Sequence, residues 1–340
     1  MKLAQRPRIV KSRLSNDRRL ARLLQPVISL VTPVFNEEAA IAIFLEAVTP
    51  HLERVGRLPG TEQGYEILFV NDGSRDGTEA AIMAAARGNR NIRLLNLSRN
   101  FGKEAALAAG LAHASGRAVV PIDVDMQDPP ELLEKMMLKW KEGAKIVNAR
   151  RVDRSSDSWL KRQTSGWFYR IYNSLAEQPI SANVGDFRLL DREVVEVLKG
   201  LNEHSRFSKG LFSWVGFKTA TVEYERPLRA AGTSKWPYGR LWGLAVDGIV
   251  ASTTIPLRIA TWLGLLLGFL SAVYGLYIVI HTLMVGPDVP GYASLMAVVL
   301  FFGSINLIAV GILGEYVGRI AREVRGRPNY IVESKVGFDP

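Results

Sequence analysis

Five residues near the middle of the chain, Asp123, Val124, Asp125, Met126 and Gln127, carry the densest chemistry in the sequence. They follow a short apolar run. In an extended chain alternate side chains share a face, so both carboxylates and the Gln127 amide would point at one hard cation. Mg²⁺ or Mn²⁺ accepts such oxygen ligands, keeps positions open for phosphate oxygens and neutralises charge on a departing diphosphate. A D-x-D triplet is common by chance; its weight here comes from standing after an apolar strand. A second group follows two other apolar runs: Thr32, Pro33, Val34, Phe35, Asn36, Glu37 and Glu38 after the first, and Asn71, Asp72, Gly73 and Ser74 after the second. Singly, each piece reads as helix capping or turn chemistry. At neighbouring strand ends, a ring and carboxylates can stack on a nucleobase and hydrogen-bond its ribose.

These groups need a scaffold that gathers strand ends, and the chain from Pro26 onward supplies one. Strands are expected over Val27 to Val34, Tyr65 to Asn71, Ile92 to Leu97 and Ala118 to Asp123. Helices are expected over Glu37 to Arg54, opened by Asn36 as N-cap, and over Glu104 to Ala114. A third is expected to run from the N-cap Asp128, through Pro129, Pro130 and Glu131, towards Trp140. Short apolar runs alternating with helical stretches give an α/β fold with a parallel sheet, whose ligands bind beyond the C-terminal ends of the strands. Neither G-x-G-x-x-G nor G-x-x-x-x-G-K-[ST] is present, which disfavours dinucleotide and P-loop sites.

Two blocks free of charged residues, Ile259 to Ile280 and Tyr292 to Leu313, are about 22 residues each, enough for a helix to cross a hydrocarbon core of roughly 30 Å. Their connection carries no Lys or Arg. Arg229, Lys235, Arg240 and Arg258 precede the pair, and Arg319, Arg322, Arg325 and Arg327 follow it. Basic flanks stay on the cytoplasmic side, so the turn faces outward and nearly the whole chain is cytosolic. The absence of cysteine leaves no disulfide framework. Net charge is +10, much of it within Met1 to Arg22, which suits attraction to anionic headgroups or a solvated tail; a nucleic-acid partner is disfavoured. Gly232 to Pro256, rich in aromatic residues, reads as interfacial helices or as a core helix of the soluble part. Gly264, Gly268, Gly275, Gly303, Gly311, Gly314 and Gly318 would allow close helix packing, and oligomerisation through the hairpin is expected.

The segments TPVFNEE, VNDGSRDGT, NFGKEAALAAG, DVDMQDPPE, GDFRLLDREV, AGTSKWPYGRLWGLAVDGI and GEYVGRIAREVRGRPNYIV, in this order, resemble the family 2 glycosyltransferases that make polyprenyl-phosphate sugars. Within that family they resemble the bactoprenol glucosyltransferase branch, related to dolichyl-phosphate mannose synthase. The resemblance covers about Pro26 to Val332. It implies a GT-A (Rossmann-like) nucleotide-sugar domain, a divalent metal, an inverting reaction and often a homotetramer, at the bacterial inner membrane. It divides the chain into a basic tail (1–25), a catalytic domain (26–230), a juxtamembrane segment (231–257), two transmembrane helices (258–318) and a C-terminal tail (319–340).

By the same resemblance, Pro33, Phe35, Glu37 and Asp72 hold the nucleotide, with Lys103 and Asp123 on the donor side. Asp123, Asp125 and Gln127 hold the metal. Asp125 and Asp186 are the candidate catalytic residues, and Arg150, Arg151 and Lys235 suit the phosphates of donor or lipid. Asn71 departs from the family, many members having a second Asp there, so that nucleobase contacts rest more on Asp72. The expected donor is UDP-glucose, with GDP-mannose or a modified UDP-sugar as alternatives. A phosphate monoester has a second pKa near 6 and needs little help to be a dianion, so Asp186 is expected to orient groups more than to remove a proton. The competing reading is a non-catalytic membrane scaffold or flippase partner, which would have no need of the Asp123, Asp125 and Gln127 set. A processive polysaccharide synthase is disfavoured by having only two membrane helices available.

Overall fold

The computed structural model describes residues 26–58, 64–152, 184–201, 203, 208–225, 255–286 and 291–338. The basic N-terminal segment, the aromatic-rich stretch up to residue 254, Arg229, Lys235 and Arg240 lie outside them. The chain divides into two units. One comprises Met1–Trp167, Ile180–Lys235 and Pro328–Pro340, the other Phe168–Pro179 and Trp236–Arg327.

In the first unit, β1 (Ile28–Val34), β2 (Tyr65–Asn71), β3 (Ile92–Leu97) and β4 (Ala118–Pro121) stand where the apolar runs predict strands. They are adjacent and parallel in the order β4-β1-β2-β3. Leu30 and Phe69 belong to the core on one face of the sheet, Val31 and Leu68 to the core on the other. Burial on both faces is why these strands read as mainly apolar runs, and the polar exceptions Ser29, Glu66 and Arg93 find partners in one another. Helices α1 (Glu38–Gly56), α2 (Thr78–Gly88) and α4 (Leu132–Lys141) supply Phe44, Ile82 and Met136 to the first core. Helices α3 (Lys103–His113), α5 (Arg192–Lys199) and α6 (Ser208–Trp214) supply Leu107, Val194 and Phe212 to the second. A Cβ on Gly110 would run into Val31 and Val70, so this glycine sets how closely α3 lies on the sheet.

Four expectations need correction. The sheet is mixed: β6 (Val184–Asp191) inserts antiparallel between β4 and β5 (Ile146–Arg151), and β7 (Thr219–Tyr224) closes that edge parallel to β5. Strand β4 stops at Pro121, two residues early, because the Asp125 carboxylate accepts from Gln127 N at 3.1 Å, bending the chain into a turn with Met126 at φ 57°. Asn36 does not cap α1. It sits at φ 56°, and its Oδ1 accepts from Arg75 N at 2.8 Å. Nor does Asp128 cap α4, which begins at Leu132; its Oδ1 accepts from the Tyr224 hydroxyl at 3.2 Å. Short polar side chains met partners across the fold that outcompeted the local cap.

The C-terminal segment, a tail by sequence, ends in β8 (Val332–Val336), which pairs antiparallel with β3. Phe338 follows, its ring 5.4 Å from the Arg93 guanidinium and 6.2 Å from His113.

The second unit holds α7 (Ile255–Val285) and α8 (Tyr292–Val324), longer than the two charge-free blocks. Their apolar spans, Ile259–Val285 and Ala297–Val324, have mean hydropathies of 2.2 and 2.3 and leave their side chains outward, as helices long and apolar enough to cross a membrane. Among the described residues, a Cβ at any of the seven hairpin glycines would meet nothing within 4 Å.

Candidate active site

Topology gathers the site. β1, β2 and β4 end at one edge, and antiparallel β6 begins there, so Asp186 near its start joins residues that follow the other strands. Between them stands Lys103, whose Nζ lies 2.6 Å from Asp123 Oδ2 and 3.3 Å from Asp186 Oδ2. Burial works against the charge of Lys103, yet Asp123 and then Asp186 hold it above the ordinary lysine value. It is a cation bridging Asp123, expected on the donor side, to Asp186, a candidate catalytic residue.

Lys103 opens α3, and the preceding turn is fastened by Asp72. Phe101 N and Gly102 N donate to its two carboxylate oxygens at 2.7 and 2.9 Å. Gly102 supports the turn at φ 96°. Asp72 is 3% exposed; burial pushes its carboxyl up while the two backbone donors pull it down. Its side chain thus holds the Lys103 loop rather than facing the open edge. Next to it Gly73 is at φ 70°, and a Cβ there would come 2.6 Å from the Arg99 carbonyl carbon. Only glycine lets these two loops approach so closely.

The exit of β1 leaves Phe35 exposed, while Pro33, in register with Val70, is half-buried. Asn36 N donates to Ser74 Oγ at 3.0 Å and Glu37 N to Thr78 Oγ1 at 2.8 Å, so the exits of β1 and β2 form one platform. The Glu37 carboxyl is pushed up, by burial first and then by Asp125, Asp123 and Asp76. Three separate loops therefore concentrate negative charge in one place. Gln127 is buried beside them, and its amide nitrogen has no hydrogen-bond partner among the described residues.

No group of three or more His, Cys, Asp or Glu side chains among the described residues is arranged as a ready metal cage. The donor set still fits a hard divalent cation of the kind held by one or two carboxylates with phosphate oxygens completing its sphere. Asp123 and Asp125 offer carboxylates, Gln127 an amide, and the crowding that raises Glu37 is what a cation relieves.

Not every expected residue is brought here. Arg150 points to Glu223 of β7 and pairs with it, while Arg151, half-buried, ends β5. Lys235 lies outside the described residues. Two residues that sequence reasoning passed over belong to the site. Asp76 accepts from Thr78 N at 3.1 Å and adds charge beside Glu37; it lies inside the VNDGSRDGT segment. Arg188, 4% exposed two residues past Asp186, lies 4.1 Å over the Phe212 ring; burial pulls its guanidinium down to about 10 against Asp186 and Glu104. A lone Arg in an apolar strand was the available signal.

Residues 29–199 match the family model described as glycosyl transferase family 2, and residues 255–320 that described as the GtrB C-terminal hairpin. An SfII prophage-derived bactoprenol glucosyl transferase of Shigella flexneri is 50% identical over 313 residues, 92% of this chain and 99% of that protein. An uncharacterized glycosyltransferase of Synechocystis is 44% identical over 316 residues, 92% and 96% of the two chains. Among solved structures, a mannosyltransferase of Pyrobaculum calidifontis aligns over 91% of this chain and 95% of its own, with a TM-score of 0.46 and 16% identity.

Proposed function

The chain belongs to glycosyl transferase family 2, and from that premise we propose that it moves one glucosyl unit from UDP-glucose to the phosphate of a polyprenyl phosphate at a membrane surface. Its mixed sheet is a GT-A fold. The observation that carries the reading is the match, from near one end to the other, to a bactoprenol glucosyl transferase, hairpin included.

The site suits the chemistry. A lipid phosphate oxygen attacks the anomeric carbon as the bond to the nucleoside diphosphate breaks, with inversion. Phe35 stacks on the base, and Pro33 and Glu37 line the same end. A divalent cation, Mg²⁺ or Mn²⁺, held by Asp123, Asp125 and Gln127, would neutralise the diphosphate. Lys103, already cationic between Asp123 and Asp186, lies where negative charge moves from acceptor to leaving group. Asp72 acts through the loop that presents Lys103. Arg151 and Lys235 remain candidates for the lipid phosphate; Arg150 would first have to leave Glu223.

The arginines that flank the hairpin support a reading in which both its ends lie on the cytosolic side of the bacterial inner membrane, with the glucosyl lipid made on that face. The hairpin glycines, open along single helices, suit contacts between copies in a homo-oligomer such as a tetramer. A flippase is the partner class that such a product calls for.

Membranes carrying the protein, given labelled nucleotide sugars, undecaprenyl phosphate and Mg²⁺ or Mn²⁺, should yield lipid-extractable label from UDP-glucose above GDP-mannose and other donors. No transfer from any donor would favour the scaffold reading. Asp186→Asn should lower turnover by less than the ~10²–10⁴ that a general base supplies, and leave the shape of the pH profile unchanged. Loss of the rise in rate with pH, at normal donor affinity, would instead make Asp186 the base.

A further inference from the structure

A buried chain of amide side chains runs from β8 to the platform beside Phe35. Ser74 N donates to Asn71 Oδ1 at 3.0 Å, Asn71 Nδ2 to Asn96 Oδ1 at 3.0 Å, and Asn96 Nδ2 to both Glu79 Oε1 at 2.7 Å and Ser334 Oγ at 2.9 Å. At its other end the Ser74 hydroxyl accepts from Asn36 N at 3.0 Å. Asn71 and Asn96 are each 4% exposed, so water does not substitute for these partners.

The chain has a fixed direction. A backbone N–H can only donate, which turns the Asn71 oxygen towards Ser74 and its nitrogen towards Asn96. An ionised carboxylate can only accept, which turns the Asn96 nitrogen towards Glu79. Both amides are oriented from their outer ends, and both orientations agree. An aspartate at position 71 would set two acceptors face to face; Asn96 would then have to turn over and present its oxygen to Glu79.

We infer that Asn71 and Asn96 are positioning residues that lock the β2 exit loop, and through it Asn36 and the Phe35 platform, to the C-terminal strand that follows the apolar hairpin in the chain. The inference rests on the reading of that platform as the nucleotide end of the donor site. Its consequence is that donor affinity depends on β8, a strand on the far edge of β3 that touches no substrate.

The test uses the full-length protein in lipid nanodiscs with UDP-glucose, undecaprenyl phosphate and Mn²⁺. Asn71→Asp should raise the donor KM by about tenfold and leave kcat within about twofold, the effect of an unsatisfied buried acceptor on one loop. Adding Glu79→Gln supplies a donor for the inverted Asn96 and should restore KM to within about threefold of the parent. Ser334→Ala, at an exposed position where folding should change little, leaves Asn96 on Glu79 and should raise donor KM by no more than about threefold. An unchanged donor KM in Asn71→Asp and Ser334→Ala overturns the inference. So does a double variant that stays as impaired as Asn71→Asp while all thermal midpoints agree. Phe35→Ala separates the two levels: if it leaves donor KM unchanged, the nucleotide reading of the platform fails; if it raises KM and the amide variants do not, only the inference falls.

Discussion

Asp125→Asn is expected to reduce sugar transfer by at least about 10³-fold while the protein folds as before. The asparagine oxygen still accepts from Gln127 N, so the turn that ends the strand and sets Met126 at φ 57° is kept. What disappears is one charge, in a place where Asp125 leads the carboxylates that push Glu37 up, after burial itself. Losing several kcal/mol of diphosphate stabilisation corresponds to a thousandfold or more in rate. Stability should move the other way. Without a cation the cluster of Glu37, Asp76, Asp123 and Asp125 repels itself, and removing one member relieves it, so the thermal midpoint in metal-free buffer should stay level or rise. Asp125→Ala gives up the turn hydrogen bond as well and should lie about 1 kcal/mol below Asp125→Asn in stability with the same loss of transfer. Labelled UDP-glucose turnover and thermal unfolding, with and without Mn²⁺, measure both. Transfer that survives Asp125→Asn would return this triplet to turn chemistry and leave Glu37 as the residue to examine for metal binding.

The parts of the fold written in local pattern were legible in the sequence. β1 through β3 end where their apolar runs end, because strands buried on both faces need mostly apolar side chains and turn residues to stop. The two long helices were legible for a similar reason, since length and absence of charge are all a membrane crossing demands. Partners far apart in sequence were not. Asn36 and Asp128 carry the signature of helix caps, but Arg75 N and the Tyr224 hydroxyl reached them first. β8 is a short, largely polar strand, VESKV, drawn out along the open edge of β3, with Val332 and Val336 packed on the core at its ends. No periodicity announces such a strand.

The site divides along the same line. Residue types able to hold a cation or stack on a base were readable at the strand ends, and the structure brings Asp125 and Asp123 close enough to Glu37 to push its carboxyl up. The direction each carboxylate faces was not readable. Asp72 stands at the strand end expected of a nucleotide contact, and each of its oxygens already accepts one backbone N–H, from Phe101 and Gly102, a second role that its position in the sequence does not announce. Arg188 and Asp76 depend on burial and on the path of a loop, which single residues in a sequence do not reveal.

Lys103→Met should slow transfer by about 10²-fold and at the same time tighten metal binding. The ammonium is 2.6 Å from Asp123 and 3.3 Å from Asp186, so it competes with a cation for the first carboxylate and screens the second. Methionine keeps the unbranched stem, one atom shorter, and removes the charge, leaving Asp123 open to a metal. Mn²⁺ titrated into the variant without donor should therefore bind several-fold more tightly than to the parent, because a competing positive charge has gone. Turnover moves the opposite way, since removing one fixed donor or charge from a reacting centre costs about 10²–10³ in rate. The pair is half-exposed, so folding should change by less than about 1 kcal/mol, and unfolding cannot account for the loss. Lys103→Arg should not restore the rate: a planar fork held in the narrow reach between Asp123 and Asp186 cannot place one compact charge on both. If metal affinity and turnover fell together in Lys103→Met, the lysine would be holding the loop shape that Asp72 fastens, and the charge it carries would be incidental to the chemistry.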